Sequence, residues 1–146
     1  MRVWRISNLA DLTGRGGLVT PGRWHFAQTQ IVYCADHPAS AMLEVLVHVD
    51  FEDRPESFQL LSIEIPEQTD ISTADVPEGW RDDVEITRSI GSKFVADARD
   101  AVLAVPSVIV PHGTNYLLSP SLLEAAGIHI ASAETHSFDS RLLGSR

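Results

Sequence analysis

Glu44 is the only acid in "SAMLEVLVHV" (residues 40–49), a segment otherwise almost wholly apolar. On a helix, the residues three and four away share its face, and these are Ser40, Ala41, Val47 and His48. Ser40, Glu44 and His48 then form a narrow polar stripe. One reading is the solvated edge of a half-buried helix. The other is a partly buried carboxylate whose orientation and ionisation are set by a site.

Other residues carry the same ambiguity. Arg23 lies in "PGRWH", between a Gly-rich loop and a strand. A rigid guanidinium there can grip a phosphate or carboxylate with two donors, or lie on the surface stacked on Trp24. Arg5 sits in an otherwise apolar strand, and if it points inward it needs an anion, from Glu44 or from a ligand. Tyr33 is mid-strand, where a tyrosine ordinarily packs against neighbours. Ser107 follows Pro106 at a strand break, and a serine there bonds a ligand or its own backbone. Asn115, in "GTNY", reads most simply as a turn residue.

Several other chemistries lack their residues. "GRGG" at 14–17 has neither the spacing nor the following helix of a dinucleotide fingerprint, and there is no Walker loop. The six histidines show no metal spacing. There is no nucleophile elbow, and Cys34 has no partner in sequence.

The elements that must position these residues belong to a chain of 146 residues, the length of one domain spanning 1–146. Such a chain buries roughly 68–70% of its unfolded surface and needs no metal or disulfide staple. A net charge of -9 argues against a general nucleic-acid binder, which displaces counterions with a basic stripe. The single cysteine forbids an intrachain disulfide and favours a reducing, cytoplasmic setting. The opening "MRVWRISNLADL" lacks the charged-then-apolar pattern of a signal peptide, and no apolar run approaches the ~20 residues of a membrane-spanning helix.

Strands are expected over 2–6, 30–35 and 58–66, and a Gly-rich loop over 13–25. A helix should open at Pro38 and run to about Val49, followed by a turn over 51–57. Residues 67–80 have turn chemistry and no apolar period. Helical spacing marks 82–100, with Thr87 as a candidate cap. Residues 101–111 read as a buried strand pair or a bulged strand, because Pro106 interrupts the ladder. Residues 112–120 read as a loop with an ordered centre, 121–127 as a short helix closed by Gly127, 128–134 as a last strand and 135–143 as a tail. Strands outnumber scattered helices, which predicts an α+β domain with a mixed, mostly antiparallel sheet. Spacing alone goes no further than such a domain with an unexplained helical glutamate.

The order of the landmarks goes further. "WRI", "GRW", "IVYCA", then Ala41, Met42, Leu43 and Glu44 within "AMLEVLVH", "VPS", "TNYLLSP" and a final "FDSRL" follow one another over nearly the whole chain. In this the sequence resembles the RES-domain toxins of bacterial toxin–antitoxin pairs, named for an arginine, a glutamate and a serine. The family's G-R-W arginine falls on Arg23, its V-Y tyrosine on Tyr33 and its helical glutamate on Glu44. Its P-S serine falls on Ser107 and its N-Y-L asparagine on Asn115. Two positions depart from the pattern. His25 stands where the family commonly has asparagine, and Ser119–Pro120 where it commonly has N-P.

The resemblance implies a fold like that of diphtheria-toxin-type ADP-ribosyltransferases, with flanking helices. It implies NAD as a substrate, with no further cofactor, cleaved between nicotinamide and ribose. It also implies a cognate Xre-type helix-turn-helix antitoxin, a toxin–antitoxin hetero-oligomer, and no direct contact with nucleic acid or membrane. The acceptor is then water or phosphate, making an NAD-depleting toxin, or a protein side chain, making an ADP-ribosyltransferase. A non-enzymatic regulator that binds a nucleotide and a partner is the reading from another class. In the enzymatic readings Glu44 stabilises the ribosyl cation or holds the ribose hydroxyls, Arg23 holds the pyrophosphate or a ribose oxygen, and Tyr33 stacks on nicotinamide or closes that side of the pocket. Ser107 and Asn115 orient the amide or a ribose, and Arg5 is a second phosphate contact.

Overall fold

The computed structural model describes residues 1–49 and 52–144. Phe51, the first residue of the expected 51–57 turn, lies outside them, and 52–57 carry neither helix nor strand. The main elements are β1 (Arg2–Ser7), β2 (Val32–Ala35), α1 (Pro38–Leu46), β3 (Phe58–Glu64), β4 (Ile71–Thr73) and α2 (Val84–Asp97). They continue with β5 (Val102–Pro106), β6 (Thr114–Leu118), α3 (Leu123–Ala126) and β7 (His129–His136). The described strands form one seven-stranded sheet in the order β4-β5-β6-β2-β1-β3-β7. β4 and β5 run parallel, and every other neighbouring pair is antiparallel. The expected α+β class and mixed sheet are therefore what the chain adopts.

Strand alternation divides the core between the two faces of this sheet. Val3, Val32, Cys34, Leu61, Ile63, Val102 and Leu118 lie in one cluster, with Leu123 and Ile128 from the α3 region. Ile31, Leu103, Val105 and Leu117 lie in the other, joined by Trp24 and, from α2, by Ile90, Phe94 and Val95. β1 pairs with β3 over six residues, from Arg2↔Glu64 to Ser7↔Gln59, but shares only Trp4↔Ala35 with β2. Beyond that pair β1 and β2 part, and Arg5 Nη1 donates across the gap to the Tyr33 carbonyl at 3.1 Å.

The caps explain where the helices lie. His37 Nδ1 accepts the Ala39 N–H at 3.0 Å, and Pro38 occupies the first turn of α1. The helix stops at Leu46 rather than near Val49, because the chain tightens there: the His48 N–H reaches back three residues to Val45 O at 3.0 Å. In α2 the cap is Asp83, whose Oδ1 accepts the Ile86 N–H at 3.1 Å. Thr87, the expected cap, is instead fully buried inside the helix, and its hydroxyl donates to Arg23 O at 2.6 Å. Gly91 lets α2 press on the same loop, since a Cβ there would lie 1.7 Å from Trp24 O.

Four other expectations change. β4 lies within 67–80, where turn chemistry hid it; a three-residue edge strand is recognised by its pairing with β5, not by an apolar period. Of the two readings of 101–111, the strand pair is not what forms: there is one strand, Val102–Pro106, after which the Ser107 N–H still donates to Gly113 O at 3.0 Å as the chain turns away. The stretch expected as a loop at 112–120 contains β6, an inner strand between β5 and β2 with Leu117 and Leu118 fully buried. β7 runs on to His136, into the expected tail, because all of β3 is available to pair with it. The short helix before Gly127 and its left-handed closure are as expected.

Candidate active site

Glu44, Ser107 and Asn115 come together from three elements. Ser107 Oγ donates to Glu44 Oε1 at 3.0 Å, and Asn115 Nδ2 donates to the same oxygen at 2.8 Å. Glu44 is therefore half-buried against the sheet rather than part of a solvated Ser40–His48 edge. Oε1 accepts only, so the nitrogen of the Asn115 amide must be the atom that faces it. No described residue donates to Oε2, and Asn115 Oδ1 is buried without a partner. Two acceptors are thus left open at one place.

Ser107 is held as firmly as it holds. It is 2% exposed, and its Oγ accepts the N–H groups of Ile109 (3.2 Å) and Val110 (3.0 Å). With both lone pairs used, its one hydrogen goes to Glu44. Of the two alternatives foreseen for this serine, its own backbone is the one seen, and its hydroxyl proton goes in addition to the Glu44 carboxylate. Asn115 is not a turn residue but belongs to β6, opposite Ala35.

Tyr33 lies on the same sheet face, two residues along β2 from Ala35 and therefore diagonal to Asn115. Its hydroxyl accepts the Trp24 N–H at 3.0 Å and lies 2.6 Å from His25 Nδ1. Burial pushes its ionisation well above the ordinary phenol range. Tyr33, Arg5 and His25 line a cleft of about 360 Å³, together with Asp11, Arg15 and Ile31. Arg5 does not pair with Glu44: its Nη1 binds the Tyr33 carbonyl and its buried Nε has no partner. Cys34, behind this strand, has its thiol pushed up to about 12 by burial, which removes it as a nucleophile at neutral pH.

Arg23 lies outside both groupings. Its Nη2 donates to the carbonyls of Trp80 (3.0 Å) and Arg81 (2.6 Å), and its Cζ lies 5.8 Å from the Trp80 ring centroid. The stacking partner is thus Trp80, because Trp24 is turned into the core at 2% exposure. Arg81 Nη1 in turn donates to Val108 O at 2.8 Å, on the turn that carries Ser107. Arg23 is joined in this way to the Glu44 cluster through a chain of guanidinium–carbonyl bonds. Arg81 and His25 escaped the sequence reading. Arg81 has no marking beyond a neighbouring tryptophan, and His25 showed only as a departure from the G-R-W pattern.

Glu44, Ser107 and Asn115 do not line the cleft of about 360 Å³; Tyr33, diagonal to Asn115 on one sheet face, is the residue that relates the fixed carboxylate to a cleft with two arginines, Arg5 and Arg15. This defines a class: a small α+β domain with a fixed helical acid and an arginine-bearing cleft on the sheet. The RES domain model matches residues 2–139, and the chain belongs to the RES-domain family. It is 46% identical over 147 residues to Toxin Res of Pseudomonas putida, covering 97% of this chain and 99% of that protein. It is 36% identical over 156 residues to the Prs ADP-ribosylating toxin of a Sphingobium species, covering 96% and 95%. Among solved structures, it superposes on the M. tuberculosis MbcT–MbcA toxin–antitoxin complex with a TM-score of 0.70 at 14% identity, over 98% of this chain and 86% of that one. That likeness is one of fold.

Proposed function

We propose that this protein is the toxin of a toxin–antitoxin pair and depletes NAD by breaking the nicotinamide–ribose bond, with water or phosphate as acceptor. The observation that carries this reading is the Glu44 carboxylate, bonded by Ser107 and Asn115 on Oε1 alone. Nicotinamide leaves as a neutral base, so no acid is needed to protonate it. The ribose left behind is cationic at its anomeric carbon. A fixed carboxylate stabilises that cation without reorganising during the reaction. Glu44 Oε2 faces the ribose, and the open Asn115 Oδ1 accepts from a ribose hydroxyl or from the carboxamide. Tyr33 forms the wall on which nicotinamide stacks. Arg5, in the cleft lining, binds the pyrophosphate, and Arg23 supports that end.

A protein acceptor is the second reading, favoured by the relative named as an ADP-ribosylating toxin. The two separate in one experiment. NAD labelled in its adenine is incubated with purified protein, and then with protein in cell lysate. Free nicotinamide together with free ADP-ribose, or its phosphorylated form, supports the first reading. Label in a discrete protein band, with little free product, supports the second. NAD left intact in both defeats the enzyme and leaves a nucleotide-binding regulator. The solved toxin–antitoxin complex of the same fold supports an antitoxin partner, which we take to be of the Xre helix-turn-helix type that the resemblance implies. Co-expression with the neighbouring reading frame should restore growth and co-purify a complex.

A further inference from the structure

We propose that His25 is a positioning residue: as a neutral imidazole protonated on Nε2, it fixes the hydroxyl of Tyr33 and so holds that ring as the wall of the cleft. The inference rests on the reading above, in which Tyr33 meets the substrate.

The hydrogen-bond directions follow from what each atom can do. Thr20 O only accepts, and it lies 2.9 Å from His25 Nε2, so that nitrogen carries a proton. In a neutral ring Nδ1 is then an acceptor. The Tyr33 oxygen, 2.6 Å away, already accepts the Trp24 N–H, so its own proton is free to donate to Nδ1. Each polar atom has one role, and the series Trp24 N–H, Tyr33 O–H, His25 N–H and Thr20 O runs in one direction. It joins β2 to the Gly-rich loop that forms the far side of the cleft.

The surroundings leave no room for a substitute. His25 is 4% exposed. A Cβ on Gly22 would lie 2.6 Å from the Tyr33 hydroxyl and 2.7 Å from His25 Cε1, so no methyl group fits on that side. Burial and the Arg88 guanidinium of α2 both disfavour a charged ring, against the Thr20 carbonyl, which favours it. The other charged groups of the cleft are Arg5, Arg15 and Asp11. Were Nδ1 protonated, it would donate to the Tyr33 oxygen. The tyrosine proton would then have to turn away, which makes the neutral ring the state that matches the site.

Two isosteres separate the bonds. In His25→Asn the side-chain oxygen falls at the Nδ1 position and keeps an acceptor for Tyr33. In His25→Gln the amide falls at the Nε2 position and keeps only the tie to Thr20. The Asn variant should consume NAD with KM within about twofold of wild type. The Gln variant should raise KM about tenfold with little change in kcat. Equal behaviour of the two, or the reverse order, overturns the proposal. Imidazole ¹⁵N shifts of the unsubstituted protein test it independently of any variant or activity. Nδ1 should be unprotonated and Nε2 protonated at pH 8, and the ring should take up a second proton only below the ordinary histidine range. The opposite tautomer, or titration in the ordinary histidine range, overturns it even if NAD proves not to be the substrate. NAD left intact by the wild type, with the expected shifts, defeats the functional reading alone.

Discussion

The Glu44 cluster and the Tyr33 network share one face of the sheet, and they treat their polar atoms in opposite ways. Along the series from Trp24 N–H through Tyr33 and His25 to Thr20 O every donor meets an acceptor, and the space beside Gly22 is closed. Around Glu44, two donors crowd one oxygen, no described residue donates to Oε2, and Asn115 Oδ1 is buried without a partner among the described residues. A saturated network is rigid and resists change. A buried acceptor without a partner, as Asn115 Oδ1 is, is costly to the fold and makes sense where a ligand completes it. The difference teaches where chemistry should occur and where shape should be kept.

If that contrast holds, substitutions in the two regions have opposite signatures. Glu44→Gln preserves size and can still accept from Ser107 and Asn115, but removes the charge. NAD consumption should fall at least tenfold, about 1.4 kcal/mol or more of transition-state stabilisation, with an almost unchanged melting temperature. A folded Glu44→Gln protein with near-wild-type turnover breaks the comparison at its strongest point. Tyr33→Phe should do the reverse. It keeps the aromatic wall but strands the Trp24 N–H and His25 Nδ1, costing about 1–3 kcal/mol of stability. Thermal unfolding should then shift down by roughly 2–4 °C per kcal/mol, while KM rises about tenfold with kcat little changed, as for His25→Gln, because the same tie to His25 is lost.

Arg23→Lys probes the link between the regions. A lysine keeps the charge but has no planar fork to hold the Trp80 and Arg81 carbonyls in the same geometry. A few-fold loss of activity is expected, in line with about 0.5–1.5 kcal/mol for a lost hydrogen bond. If the Lys and Ala variants both match wild type, Arg23 is a surface stacker on Trp80.

The smallest effect is a pH dependence. The folded protein holds His25 below the ordinary histidine value, so the unfolded chain takes up this proton first, near pH 6.5. Its contribution to stability is full above about pH 6.5 and is lost as pH falls through the lower folded value. Denaturant titrations should show that slope in wild type and lose it in His25→Asn. An identical acid limb in both would remove His25 from the closed network.

Much of this was legible before any tertiary structure. Alternation in 2–6 and 58–66, Pro38 opening a helix and Gly127 closing one are local signals, because they depend on backbone geometry and neighbours in sequence. The isolation of Glu44 in an apolar helix was equally plain, and the ordered landmarks named its companions. The two strands that were not recognised, β4 and β6, carry weak patterns, because an edge strand of three residues and an inner strand set between Gly113 and Ser119 owe their form to pairing partners.

The amino-acid sequence thus determined which residues could do chemistry and the class of fold that carries them. Tertiary structure alone decided how they divide: Ser107 and Asn115 reach Glu44 over separations of 63 and 71 residues. It also turned Arg23 to backbone carbonyls 57 and 58 residues away and brought Gly91 of α2 against Trp24. The physical reason is that an orphan acceptor or a saturated donor is a property of what surrounds an atom. No spacing along a chain records those surroundings until the strands have paired and the helices have packed.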